Sequence, residues 1–224
     1  MVLATSRRPT LTTNDSVRGV EVLDLGLNNL ASLMRALALA GFDHIRSIED
    51  CSLHRPARLM VLPGVGAFGA AMGRIHDRGF DTIVRDHVSA GGKLMGVCLG
   101  MQLLGSSSEE SPGVSGLNLI PGEVVQLPPE KNERIPHVGW NSVHMTGHRA
   151  EFSELEKPFD FYFIHSYVLQ PASMSQVLGV SPYGETSFTS AVLSGPILAF
   201  QFHPEKSSQP GHRLLKQARS WSHA

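Results

Sequence analysis

Cysteine is scarce in this chain: two residues, Cys51 and Cys98, stand among 224. That number excludes a disulfide framework and leaves each to be read as a thiol. Charge of one sign is missing as well. The 19 basic side chains nearly cancel the 20 acidic ones, with no Lys/Arg block and no basic stripe interleaved with aromatics. Neither nucleic acid nor an anionic membrane is therefore an expected partner. Long apolar runs are also lacking. Runs such as Ala191–Leu193 and Ile197–Phe200 fall far short of a bilayer span, and the N-terminal residues carry no apolar secretory segment. A cytoplasmic protein acting on small molecules or other proteins is expected.

What is present is apolar side chain, 42% of the residues, enough to bury one substantial core. One domain over 19–224 is expected, preceded by a loose tail over 1–18, which is polar and without periodicity. From Val20 the pattern reads strand, turn, helix: "VEVLDL", then "GLNN", then "LASLMRALALAGF" with apolar residues at helical spacing. Further strands are expected at "DHIRSI", "RLMVLP" and "KLMGV", with helix at "FDTIVRDHVSAGG". This alternation predicts an α/β fold whose sheet is doubly wound and mostly parallel. Beyond Gly113 the runs shorten and are divided by Pro and Gly, as in "GEVVQLPP", "FDFYFIHSYVL", "SQVLGVS", "TSAVL" and "PILAFQFH", before a closing helix from Pro210 to Trp221. These add antiparallel strands to the same sheet or a neighbouring one.

Three stretches carry chemistry. Gly64-Val65-Gly66-Ala67-Phe68-Gly69 has the form of a dinucleotide fingerprint, but it occupies the third βα turn, and the acid about twenty positions on, Asp86, lies in a helical pattern. A tight turn with glycines required by geometry is the simpler reading. Gly96-Val97-Cys98-Leu99-Gly100 follows a strand and precedes a helical pattern. It is the thiol counterpart of the G-x-S-x-G nucleophile elbow, and the following helix N-terminus favours a thiolate. "AFQFHPE" ends a strand in His203-Pro204-Glu205, whose spacing puts imidazole and carboxylate on one face, as base and orienter for Cys98.

"GVCLGMQLL" together with "FQFHPEKS" resembles the class I glutamine amidotransferases. Adding "LPGVGAFGAAM", "IPHVGWN" and "YFIHSY" makes the chain similar to the branch formed by the glutaminase subunits of imidazole glycerol phosphate synthase. The resemblance implies a flavodoxin-like fold, a Cys98-His203-Glu205 triad that hydrolyses L-glutamine to glutamate and ammonia, and no cofactor or metal. It also implies an oxyanion strand at Pro63–Gly66, in which amides at Val65 or Gly66 join that of Leu99. The glutamine pocket would take Gly64, Gln102, Glu110, His165, Ser166 and Tyr167. The implied partner is a (β/α)₈ cyclase subunit that receives the ammonia, met through Asn29, His137, Trp140, Asn141 and Lys206.

Departures from the family pattern fall at Leu25 and Asn28 in the first turn and at Gly105–Ser108 ahead of Glu110. They leave a paralogous ammonia-supplying subunit of a sugar amidotransferase as an alternative, with a non-catalytic binding module and a nucleotide-binding oxidoreductase behind it.

Overall fold

The computed structural model describes residues 19–26, 30–128, 134–146, 152 and 158–224. Its first half runs β1 (Val20–Leu23), α1 (Leu30–Leu39), β2 (Ile45–Ile48), β3 (Leu59–Gly64), α2 (Phe68–Asp77), α3 (Phe80–Ser89), β4 (Lys93–Cys98) and α4 (Leu99–Leu103). The rest runs β5 (Ser107–Ser108), β6 (Gly122–Gln126), β7 (His137–Met145), β8 (Phe159–His165), β9 (Tyr167–Pro171), β10 (Val177–Tyr183), β11 (Thr186–Ser194), β12 (Ile197–Phe200) and α5 (Ser208–His223). The tail expected over 1–18 lies outside the described residues, as does Asn28.

Strands β2, β1, β3, β4 and β12 lie side by side in that order and run parallel. They read as unbroken apolar runs because both of their faces are covered. Val20, Val22, Val61, Met95 and Leu198 turn toward α1 and α5, meeting Leu33, Leu37, Leu214 and Trp221. Leu23, Met60, Leu62, Leu94 and Ala199 turn to the opposite face, toward Phe68, Met72, Ile75, Phe80 and Val84 of α2 and α3. One charged side chain interrupts this. Glu21, 1% exposed, accepts hydrogen bonds from Arg46 on the neighbouring strand and from the Arg55 amide at 2.9 Å, and its other oxygen lies 2.6 Å from His54 Nδ1. A buried carboxylate held by several donors is a tolerable occupant of such a strand.

Past β12 the sheet continues with antiparallel neighbours in the order β11, β10, β7, β8, nine strands in all among the described residues. A separate three-stranded sheet joins β5, β6 and β9. Both outcomes allowed by the second-half pattern therefore occur together. The run "FDFYFIHSYVL" is two strands instead of one: β8 ends at His165, β9 begins at Tyr167, and they belong to different sheets. Ser166 is the break because its carbonyl accepts the amide of Leu127, at the end of β6, at 2.9 Å. The motif "PHVGWN", assigned no secondary structure from sequence, lies mostly in β7, which is paired on both sides. The closing helix extends two residues beyond the expected span at each end.

The parallel strands bring two turns into direct backbone contact. A Cβ built on Gly100 would lie 1.8 Å from the carbonyl oxygen of Leu62, and one on Gly64 would lie 2.8 Å from Leu99 Cβ. Leu62 is fully buried in β3 and cannot give way. Gly100→Ala is expected to destabilise the fold by roughly 3 kcal/mol, the upper end of ordinary overpacking, read as a lowered denaturant midpoint. A midpoint equal to that of the parent chain would show that the two turns separate freely.

Candidate active site

Cys98 is the last residue of β4 and takes φ 54°, ψ −114°, a conformation that an L side chain rarely holds. Its flanking glycines have separate reasons. Gly100 meets the Leu62 carbonyl, and a Cβ on Gly96 would lie 2.9 Å from Ala199 Cβ and 3.1 Å from Gly100 O. The turn therefore packs bare backbone on both sides and leaves the sulfur over the carboxyl end of the sheet, as in a nucleophile elbow. The helix after it is short: α4 spans five residues. Its dipole is a smaller aid to a thiolate than the sequence pattern suggests.

Because β12 is parallel to β4 with Phe200 opposite Val97, the chain that leaves β12 passes beside Cys98. Gln201 and His203 follow within three residues. His203 is fixed through its backbone, whose amide donates to Tyr162 O at 2.9 Å and whose carbonyl accepts from Ser207 Oγ at 2.6 Å. Its Nδ1 donates to Glu205 Oε1 at 2.7 Å across the turn at Pro204–Lys206. That leaves Nε2, buried and without a hydrogen-bond partner of full geometry, for the Cys98 sulfur. Burial opposes charge on this imidazole, but hydrogen bonding and negative charge from Cys98 and Glu205 outweigh it and raise its pKa to about 9. The arrangement stabilises an imidazolium between a sulfur and a carboxylate.

Beside Cys98 opens a cavity of about 290 Å³ lined by Val65, Gly66, Leu99, Gln102, Glu110, Ser166 and Tyr167, among others. Gly66 has φ +100° and Val65 is 38% exposed, and both line this cavity. Leu99 opens α4, and its amide has no partner within the helix. Glu110 is tied to the same region: its Oε2 accepts the amide of Phe68, first residue of α2, at 2.7 Å, while Ser111 Oγ accepts that of Gly69 at 3.0 Å. The departure at Gly105–Ser108 does not unfix this wall. Ser107 and Ser108 pair with β6, and Ser108 Oγ accepts the Glu110 amide at 3.2 Å.

On the far wall a directed chain of hydrogen bonds fixes two histidines. The Tyr167 carbonyl can only accept, so His165 Nδ1, 3.0 Å away, carries the hydrogen. His165 Nε2 then accepts from His137 Nδ1 at 3.1 Å, and His137 Nε2 accepts from Asn141 Nδ2 at 3.3 Å. His165 is neutral. Burial first, then the neighbouring His137, push its pKa down to about 3.

The expected partner-facing residues separate by strand parity. Val138 and Trp140, each 53% exposed, lie opposite Ile164 and Tyr162 on the outer face, and Lys206 Nζ sits 5.8 Å over the Tyr162 ring. His137 faces inward, its ring against Phe163, Tyr183 and Phe188, and Asn141, also at an odd position, donates to Pro182 O at 2.8 Å. Asn29 lies outside the described residues. Two groups went unnoticed in the sequence, Gln201 and the Ile164 carbonyl, both against the Cys98 sulfur. The signal for Gln201 was a polar residue inside the otherwise apolar "AFQF".

An unfolded histidine titrates near 6.5, so between that pH and about 3 the unfolded chain binds the proton that folded His165 refuses. Stability is thus expected to fall as pH drops through this window. His165→Phe, whose ring suits the cluster with Phe163 and Phe188, removes that slope. Chemical denaturation at several pH values checks it: the stability difference between the two proteins should change below pH 6.5 and stay flat above 7, and a constant difference would refute the assignment.

The family model described as glutamine amidotransferase class-I matches residues 21–219. The chain is 39% identical over 200 residues to imidazole glycerol phosphate synthase subunit HisH of Moorella thermoacetica, covering 89% of this chain and 93% of that one. Against the subunit of the same name from Aquifex aeolicus, identity is 40% over 196 residues, 87% and 93% of the two chains. A solved glutamine amidotransferase shares the fold with a TM-score of 0.70 at 21% identity, covering 92% of this chain and 99% of that chain.

Proposed function

Because this chain belongs to the class-I glutamine amidotransferases, and within them to the family of HisH subunits of imidazole glycerol phosphate synthase, we propose that its Cys98, His203 and Glu205 carry out glutamine hydrolysis. The glutaminase serves histidine biosynthesis, and its useful product is ammonia. The observation that carries the residue assignment is the buried His203 paired with Glu205 at 2.7 Å, set beside a cysteine held at positive φ over the cavity.

In this reading the Cys98 thiolate attacks the side-chain amide carbon of glutamine, and the carbonyl electron pair moves onto oxygen. Amides of the Val65–Gly66 turn and of Leu99 receive that oxyanion. The His203 imidazolium gives its Nε2 proton to the amide nitrogen, the C–N bond breaks, and ammonia leaves behind a γ-glutamyl thioester. Water then attacks the thioester carbon while His203 takes a proton from it, the C–S bond breaks, and glutamate departs with the thiolate restored. Glu205 keeps the imidazole in the tautomer that presents Nε2 throughout. Gln102, Glu110, His165, Ser166 and Tyr167 shape the glutamine site, with Glu110 toward the substrate ammonium.

The cavity lining also includes Pro136, Ile164 and Lys206, which border the exposed Trp140–Tyr162 patch. We take this patch as the surface that meets a (β/α)₈ cyclase, so that ammonia passes from the mouth of the pocket into the partner. Among the described residues no helix is long and apolar enough to cross a membrane, and a cytoplasmic setting agrees with two free thiols. Residues 19–224 act here as one glutaminase domain.

An electrophilic glutamine analogue followed by peptide mapping should label Cys98 and spare Cys51. With a purified cyclase subunit and the histidine-pathway ribonucleotide, glutamate release should rise, and Cys98→Ala or His203→Ala should cut it by at least ~10⁴-fold. Label on Cys51, or undiminished release from Cys98→Ala, would remove the assignment.

A further inference from the structure

The side chain of Gln201 is fully buried on the strand exit between Cys98 and the glutamine pocket, and its amide orientation is forced by its neighbours. Gln102 Nε2 lies 2.9 Å from the Tyr167 carbonyl, which can only accept, so the Gln102 NH₂ group points there. The same NH₂ group lies 3.0 Å from Gln201 Oε1. Gln201 must therefore turn its oxygen to Gln102 and its own NH₂ group the other way, to the Cys98 sulfur at 3.9 Å. No water-facing alternative exists for a side chain with no exposed surface.

The sulfur consequently has different partners in its two protonation states. As a thiol it has an acceptor, Ile164 O at 3.8 Å. As a thiolate it has a donor, Gln201 Nε2, in addition to His203. Resting on the reading of Cys98 as nucleophile, we propose that Gln201 is a further member of the nucleophilic site, an N–H donor that stabilises the Cys98 thiolate and fixes its direction. A hydrogen bond to a charged acceptor favours the charged form, and burial keeps water from replacing it. The line Tyr167, Gln102, Gln201, Cys98 joins the wall of the glutamine pocket to the attacking atom through donors and acceptors of fixed sense. Gln102 thus acts on the sulfur as a positioning residue as well as lining the pocket.

The test needs no partner protein and measures the thiol directly. In the full chain, the rate of Cys98 alkylation by iodoacetamide is followed against pH, with peptide mapping to separate Cys51. Gln201→Glu keeps the shape and the acceptor toward Gln102 but puts an oxygen against the sulfur. Its alkylation midpoint should rise by about one pH unit, so that reactivity below the midpoint falls roughly tenfold. Gln201→Met removes the donor without adding charge and should give a smaller rise, about threefold in rate, which keeps the proposal falsifiable if the charged variant does not fold. In the complex with the cyclase, kcat for glutamine should fall with KM little changed. Midpoints equal to that of the parent chain in the folded variants would overturn the proposal even if activity dropped, since a packing role alone leaves thiol titration unmoved. If the parent Cys98 is itself unreactive and its chain releases no glutamate, the nucleophile reading falls first and takes this proposal with it.

Discussion

The site depends on one steric constraint, the approach of the β3 backbone to the turn that follows β4. The Leu62 carbonyl occupies the space of a Gly100 side chain, and Leu99 closes on Gly64. Two parallel strands in register, with Gly64 opposite Cys98, can converge this far only where side chains are absent. The result is that the Val65–Gly66 turn and a cysteine at positive φ line one cavity. Neither would be useful alone. The proposed nucleophile and the groups proposed to receive the oxyanion are placed by the same contact, so a displacement of one strand end disturbs both.

Around Cys98 two histidines are driven in opposite directions. Both are buried, and burial works against charge on each. His203 has a carboxylate on one nitrogen and the Cys98 sulfur toward the other, and hydrogen bonding and negative charge from these two groups reverse the sign. His165 is given a carbonyl and a second imidazole instead; its hydrogen bond to the Tyr167 carbonyl opposes burial but does not overcome it, and the ring remains neutral. A neutral His165 is compatible with a charged His203 nearby, whereas two imidazolium rings in one pocket would repel. The hydrogen-bond partners selected by the fold therefore make one ring a charged imidazolium and leave the other neutral, bonded to the Tyr167 carbonyl.

Much of this was legible from residues alone. Gly96-x-Cys98-x-Gly100 after an apolar strand announces a tight elbow-like turn because that spacing frees both flanks, and His203-Pro204-Glu205 announces an imidazole–carboxylate pair because alternate residues share a face. The parallel half of the sheet was legible for a similar reason, since strands covered on both faces leave unbroken apolar runs. The break at Ser166 was not. It is made by an amide from Leu127, some forty residues away, and local pattern carries no trace of such a partner. Strand β7 was hidden because its inward positions hold His137, Gly139 and Asn141, polar or small residues that blur the alternation of apolar and polar. Gln201 was passed over because an amide in a buried strand shows its purpose only through the two groups it bridges.

The parity of β7 gives the molecule a further property. Its even positions, Val138 and Trp140, face outward beside the mouth of the cavity, while His137 and Asn141 face inward and hold His165. A partner pressing on the outer face therefore touches the strand whose inner face sets the orientation of the pocket wall. Because β7 is paired on both sides, to β8 and to β10, it cannot shift by one residue without exchanging these faces. Its inner face carries the His137–His165 contact at 3.1 Å, which leads through the Tyr167 carbonyl and Gln102 to the amide that faces Cys98. The exposed patch and the Cys98 sulfur are thus joined by one strand and a few oriented hydrogen bonds.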